Sequence, residues 1–289
     1  MLRIEDCPEV PYSAVGGCIQ QLDKLRDLLE TPFLYPEKFA KLGIEPVKGA
    51  VLWGPRGSAQ VLCARAIAHN TGASIIRVSQ LGDCRGVEGA KVVRKAFETA
   101  RTKPSALVVF EEMHKAEDGA LIELVSQLDN LHANEENTRV LVCTDELDSL
   151  EPSLMRLGRL ERKVEFCLPD LQARTHILQI HTLHMHCAAR LELVARLCHG
   201  ATGAEVSNLC FEAEGVAKRG DRRRVEEKDF RCAIDRVIQA NQLKIKADDS
   251  SESYGQLSLR RTASAGRAAQ RSLGQRSLLG ERKSRGGGL

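Results

Sequence analysis

Apolar and polar positions along the first 168 residues fall into a repeating block pattern. Short runs rich in β-branched and aliphatic side chains cover Ala50 to Trp53, Ser74 to Val78, Ala106 to Phe110, Arg139 to Thr144 and Val164 to Leu168, with helical stretches between them. Strand, helix, strand repetition of this kind predicts a parallel sheet covered by helices on both faces, so the first unit reads as α/β. Beyond Pro169 the strand signals stop. Apolar residues then recur at helical spacing through Leu191, Val194 and Leu197, through Val206, Leu209 and Cys210, and through Phe230, Ile234 and Val237. Thr202 and Glu205 have the spacing of a capping box. The pattern predicts an α/β domain over 10–168 followed by a small all-helical domain over 169–242.

From about Asp248 the composition turns to Ser, Arg, Gly and Ala, with a tandem Gln270-Arg-Ser-Leu and Gln275-Arg-Ser-Leu. No core can be built from such a segment, so 243–289 is predicted to be a disordered tail. Between Ser250 and Leu289 the tail is basic, carrying Arg260, Arg261, Arg267, Arg271, Arg276, Arg282, Lys283 and Arg285 against Glu252 and Glu281. Such a tail can touch nucleic acid or acidic surfaces, although a solvated tail is the commoner case.

A chain of 289 residues with 43% hydrophobic content has room for a main domain and a satellite. A formal net charge of +3 gives the body no electrostatic reason to take nucleic acid as a partner. Met1-Leu-Arg-Ile-Glu-Asp6 has no apolar signal region, and no stretch approaches the roughly 20 apolar residues of a spanning helix, so a cytoplasmic or nuclear location is expected, with no membrane partner. Ten scattered cysteines without a C-x-x-C pair predict reduced, mostly buried thiols. The run His181-Thr-Leu-His184-Met-His186-Cys187 places two histidines one helical turn apart but lacks a second ligand pair, and reads first as a His-rich helix end.

The chemistry concentrates in Val51-Leu-Trp-Gly54-Pro55-Arg56-Gly57-Ser58-Ala59-Gln60-Val61. An apolar strand entering a Gly-rich turn and then a helix is the setting in which backbone amides cradle phosphates. The working pattern G-x-x-x-x-G-K-[ST] keeps its first glycine at Gly54, but its last three positions are Ala59, Gln60 and Val61. Gln60 has no ammonium charge for a phosphate, and Val61 has no hydroxyl for a magnesium ion. The loop predicts poor ATP hydrolysis. Ala59 in place of glycine also narrows the backbone conformations open to the loop.

Longer runs carry a resemblance. Tyr12-Ser-Ala-Val15-Gly16-Gly17, Glu30-Thr-Pro-Phe-Leu-Tyr-Pro-Glu-Lys-Phe39, Leu42-Gly-Ile-Glu-Pro46, Met155-Arg-Leu-Gly-Arg159-Leu-Glu-Arg-Lys163 and Leu168-Pro-Asp-Leu-Gln-Ala-Arg-Thr-His176 stand in one order along the chain. From about Val10 to Gln242 the sequence resembles the AAA ATPases, and within them the ATPase subunits of the base of the 26S proteasome regulatory particle. The resemblance implies an AAA+ P-loop nucleotide-binding domain with a helical lid. It also implies ATP or ADP as cofactor, and a hetero-hexameric ring with the other base ATPases that acts on protein substrates.

Carried over by position, the resemblance implies a nucleotide pocket with Val15 and Gly16 near the base, His181 on the lid side, Gly54 to Gln60 around the phosphates, and Gly203 and Ala204 at a lid-helix N-terminus that favours negative charge. Glu111 stands at the metal-binding aspartate and Glu112 at the catalytic glutamate, so the water-polarising group is kept while the magnesium position is altered. Asp145 stands at the asparagine that senses the γ-phosphate, and a carboxylate there would repel that phosphate by about 4 kcal/mol at ~4 Å and an effective dielectric near ~20. ADP would suffer less. Arg156 and Arg159 match two arginine fingers, groups that act on a neighbouring subunit's transferring phosphate.

The translocating pore loop of that group carries an aromatic residue, and here Gly82 to Gly89 has Arg85 instead. The long second pore loop of that group is expected to be missing, since the chain passes quickly from Glu112 into a helix. In this sequence no coiled coil or small β-barrel precedes the ATPase region, and the ending Gly286-Gly-Gly-Leu289 lacks the hydrophobic-Tyr-x signature. The parts of that group that do mechanical work are therefore expected to be the damaged ones.

Overall fold

A computed structural model describes residues 1–84, 87–131 and 137–237. Arg85, the last residues of the expected helical domain and the whole expected tail lie outside them.

Six strands form one sheet: β1 (Leu2–Glu5), β2 (Gly49–Trp53), β3 (Ser74–Val78), β4 (Ala106–Glu111), β5 (Thr138–Thr144) and β6 (Arg162–Glu165), in the order β1-β3-β4-β5-β2-β6. All neighbours run parallel except β1, which lies antiparallel on β3 with Ile4 opposite Ile76. The sheet is therefore mixed rather than wholly parallel. The sequence pattern missed β1 because Leu2, Arg3, Ile4 and Glu5 make a short, half-charged edge strand whose only partner is far along the chain.

The strand expected at Val164 to Leu168 is shifted back to Arg162–Glu165. Its partner β2 ends at Trp53, whose carbonyl takes a last hydrogen bond from the Phe166 amide at 2.8 Å, and no strand continues beyond it.

Side chains of the central strands alternate between two buried clusters. Val108 and Phe110 of β4 and Val140 and Val142 of β5 face one side with Val93, Phe97 and Leu124. Leu107, Val109, Leu141 and Cys143 face the other with Leu25, Leu29 and Ile67. The first side is covered by α5 (Val87–Arg101) and α6 (Asp118–Asn130), where Phe97 stacks on Phe110 at 6.2 Å. The second is covered by α1 (Ile19–Leu25) and α4 (Gln60–Thr71). Burial on both faces explains why the strands read as unbroken apolar runs. Each such side chain contributes about 1.5–3 kcal/mol.

Two short helices, α2 (Thr31–Leu34) and α3 (Pro36–Leu42), precede β2. Four more helices follow the sheet: α7 (Leu171–Thr182), α8 (Leu191–Leu197), α9 (Gly203–Arg219) and α10, residues 227–237. The capping box at Thr202 is formed as expected, with the Glu205 amide donating to Thr202 Oγ1 at 3.3 Å and the Thr202 amide donating to the Glu205 carboxylate at 2.8 Å. In α8 the apolar periodicity is only partly used: Val194 is buried, but Leu197 is exposed and Cys198 takes the inner position. Residues Met1–Ile234 pack as one compact unit. Among the described residues no helix is long and apolar enough to cross a membrane.

None of the ten cysteines forms a disulfide. The expectation of mostly buried thiols needs correction, since Cys63, Cys143, Cys198 and Cys210 are buried whereas Cys7, Cys167 and Cys232 are exposed. Burial follows the element: Cys63 and Cys143 sit on the inner faces of α4 and β5, while Cys167 lies in the connection leaving β6.

Candidate functional site

Parallel strands β2, β4 and β5 deliver the loop after Trp53, the acidic pair Glu111-Glu112 and Asp145 to one edge of the sheet, the carboxyl end, where α/β sheets hold their ligands. The loop leaves β2 at Gly54, whose φ of 148° places the backbone against β6: a β-carbon there would stand 2.0 Å from the Phe166 carbonyl oxygen. Gly57, at φ 80°, faces the start of α9, where a β-carbon would lie 2.8 Å from that of Ala204. The Ala204 amide donates to the Gly57 carbonyl at 3.1 Å, so the α9 N-terminus and the loop are in direct contact.

Ala59 holds the left-handed backbone (φ 67°, ψ 15°) that the motif reserves for glycine. A non-glycine residue there carries about 1 kcal/mol of strain. Ala59→Gly is accordingly expected to raise the unfolding midpoint by ~2–4 °C, read by thermal melting; an unchanged or lower midpoint would show the loop to be unstrained.

Gln60, at the lysine position, turns its side chain back on the protein. Its amide nitrogen donates to the Gly54 carbonyl at 3.2 Å and the Thr144 carbonyl at 3.4 Å. Ser58 is 4% exposed, and its hydroxyl oxygen has no hydrogen-bond partner.

Two adjoining cavities share this loop. The larger, about 350 Å³, is lined by Ala14, Gly16, Gly57 to Leu62, Ile177, Ile180, His181, Gly203, Ala204 and Ser207. The smaller, about 180 Å³, is lined by Gly54, Arg56, Gly57, Gln60, Val61, Glu111, Glu112 and Cys143 to Asp145. The residues expected at the nucleotide therefore converge, with two exceptions. Val15 is buried in the core beside α1, and Pro55 is exposed on the loop; neither lines these cavities.

Sequence reasoning missed Ile177 and Ile180, although their spacing with His181 on α7 puts all three on one face. Gly16 lets that face approach, since a β-carbon there would meet Ile177 at 2.9 Å. Burial pushes the His181 imidazole below its usual pKa, so it is neutral at physiological pH.

The charged end of the site is fully paired. Arg77 on β3 holds Glu111 at 2.7 Å. Arg56 holds Glu112 at 2.8 Å and Asp145 at 2.9 Å, and Lys115 holds Glu112 from the other side at 3.0 Å. Glu112 itself sits in left-handed backbone at φ 53°, a conformation that clusters at functional sites. The expected repulsion between Asp145 and a γ-phosphate is thus moderated, because the Asp145 carboxylate already has a guanidinium beside it. Neither Arg77 nor Arg56 could be matched to its carboxylates from sequence, as the partners lie on different strands and loops.

A nucleotide fits these residues: the loop borders the larger cavity beside the α9 N-terminus, and the buried Ser58 hydroxyl there lacks a partner. A magnesium ion would have to compete for these carboxylates with the side-chain cations that hold them.

The two arginines expected to act as fingers differ. Arg156 is exposed. Arg159 is engaged within its own chain, meeting both oxygens of Asp129 at 2.6 and 2.8 Å and donating to the Ser153 carbonyl.

Comparison with known proteins agrees with this geometry. The family model described as ATPase family associated with various cellular activities (AAA) matches residues 50–168, from β2 through β6. A 26S proteasome regulatory subunit 7 from Dictyostelium discoideum is 44% identical over 258 residues, covering 83% of this chain and 60% of the relative. One from Caenorhabditis elegans is 46% identical over 256 residues, covering 82% and 59%. The chain spans about three fifths of the length of the curated relatives it matches. With the phosphate-loop strand, the acidic strand end and the capped α9 around two adjoining cavities, and with these similarities along most of its length, the chain carries an AAA ATPase domain.

Proposed function

We propose that this chain is a divergent proteasome-type AAA subunit that binds ADP or ATP weakly in the 350 Å³ cavity and takes a place in a hetero-hexameric ring of base ATPases. In this reading it works in ATP-dependent protein degradation in the cytoplasm or nucleus, with its own hydrolysis impaired. Residues 10–168 serve as the nucleotide-binding domain and 169–242 as the lid. The carrying observation is the loop itself: it keeps the glycine geometry and the buried Ser58 hydroxyl of a phosphate cradle, while Gln60 is turned onto backbone carbonyls. Ile177 and Ile180 offer an apolar wall for a base, and the Ser58 end offers donors to phosphates. Glu112 stays in the position of a water-polarising base, but Arg56 and Lys115 engage its two oxygens.

Arg156 and Arg159 act in trans in this reading, with Arg159 leaving Asp129 on ring closure. In rings reconstituted with the other base ATPases, Arg156→Ala with Arg159→Ala is expected to lower ATP turnover at least about tenfold. Unchanged turnover would sink the assignment.

A second reading is favoured by the bidentate Arg159–Asp129 pair, which satisfies that arginine without a neighbour. It makes the chain a non-enzymatic AAA-fold interaction protein or assembly factor. Native isolation with and without ATP separates the two: base ATPases recovered only with ATP support a ring subunit, whereas partners retained regardless of nucleotide support the adaptor.

A further inference from the structure

We propose that Arg56 is an internal counter-cation standing in for both the loop lysine and the divalent ion, so that the site takes a nucleoside diphosphate without metal and rejects the triphosphate. This rests on the reading of the larger cavity as a nucleotide site. Its foundation is a juxtaposition specific to this chain: one guanidinium, carried on the phosphate loop, bridges the two carboxylates that flank the smaller cavity, Glu112 at 2.8 Å and Asp145 at 2.9 Å. The third carboxylate, Glu111, is neutralised from the opposite side by Arg77.

The smaller cavity adjoins the larger along Gly57, Gln60 and Val61, so it is where a chain of phosphates extending past the loop must go. A third phosphate entering it without metal competes with Glu112 and Asp145 for Arg56. If the phosphate wins, two carboxylates are left facing added negative charge; if it loses, it lies beside them with no cation. A magnesium ion does not resolve this. It would have to separate Glu111 from Arg77, or Glu112 from Arg56 and Lys115, and then sit beside the displaced cations. Gln60 supplies no charge, and its amide is held by Gly54 and Thr144.

A diphosphate avoids the conflict. Its phosphates stop at the loop and do not enter the smaller cavity, so they leave Arg56 on Glu112 and Asp145. With Lys115, Arg56 then cancels the charge of Glu112 and Asp145 that would otherwise face the neighbouring phosphate.

Isothermal titration of the full chain with ADP and with ATP, each in magnesium and in EDTA, tests this directly. Wild type is expected to bind ADP with the same Kd within about twofold in both buffers, and ATP at least about tenfold more weakly in both. Arg56→Ala, checked by far-UV circular dichroism, should weaken ADP about tenfold in EDTA and make binding metal-dependent. Glu112→Gln with Asp145→Asn keeps Arg56 but releases it, and should tighten ATP at least about tenfold in EDTA with little change for ADP. ATP bound as well as ADP by wild type, an ADP Kd that needs magnesium, or an unchanged preference in the double variant overturns the role of Arg56 while leaving a nucleotide site in place. Absence of binding for either nucleotide in wild type and in the double variant removes the nucleotide reading itself, and the inference with it.

Discussion

Replacing Gly54 by alanine is expected to lower the unfolding midpoint by about 10 °C and to abolish nucleotide binding. Two effects act together. The residue holds φ 148°, which side chains rarely adopt, at a cost of about 1–3 kcal/mol. Its new methyl group would also stand 2.0 Å from the Phe166 carbonyl oxygen and 2.9 Å from the carbonyl carbon. Neither atom is a flexible side-chain end, so the β2–β6 junction must move, for about another 1–3 kcal/mol.

The junction is held by the Phe166 amide on the Trp53 carbonyl at 2.8 Å and the Gly54 amide on the Thr144 carbonyl at 3.1 Å. Displacing it drags the loop off both β5 and β6. Thermal melting of the purified variant gives the result; a shift below ~2 °C would mean that the loop relocates without cost.

Asp229→Asn is expected to cost about 2 kcal/mol at neutral pH and progressively less as the solution is acidified. Asp229 is 1% exposed, meets both terminal nitrogens of Arg222 at 2.6 and 2.7 Å, and accepts the Glu226 amide at 2.9 Å. The Arg222 pair, followed by the Glu226 amide, holds its pKa below the ordinary 3.8. A depressed carboxylate contributes stability that is present above 3.8 and lost as pH falls through its lower folded value.

Other depressed carboxylates, Asp129 beside Arg159 and Glu123 beside Arg94, are common to both proteins and drop out of the difference. Urea unfolding of wild type and variant from pH 7 down to ~pH 3 should show two stability curves converging. Parallel curves would mean that the ion pair contributes nothing, as many exposed pairs do. The pair matters for the helical part of the chain, because Asp229 precedes Phe230 and Ala233, the buried residues of α10.

Much of the fold was legible in advance. Ala106 to Phe110 and Arg139 to Thr144 read as strands because their residues are buried on both sheet faces, which leaves no polar alternation to confuse with a helix. The Thr202–Glu205 spacing marked the start of α9 because a capping box is a local device, complete within four residues. β1 was not legible, since two of its four residues are charged and its pairing with β3 spans some seventy residues. The exposed Cys7, Cys167 and Cys232 were misjudged because composition alone does not say which face of an element a thiol occupies.

At the site the same division holds. The altered loop Gly54 to Val61, the acidic pair Glu111-Glu112, Asp145 and the lid-side Gly203-Ala204 were all found as short motifs, because phosphate cradles and capped helices are built from neighbours in the chain.

Residue identities alone set which groups are present and absent: no loop lysine, no loop hydroxyl at Val61, a guanidinium at Arg56 on the phosphate loop, and the AAA pattern of strands and helices around them. How those charges are used was settled by the fold. Arg56 meets Glu112 and Asp145, Arg77 meets Glu111 and Arg159 meets Asp129 across separations that no local spacing encodes. Ion pairs form between whatever charges the packing of the sheet brings within a few ångströms, and a long flexible arginine can reach several candidates until the fold fixes one.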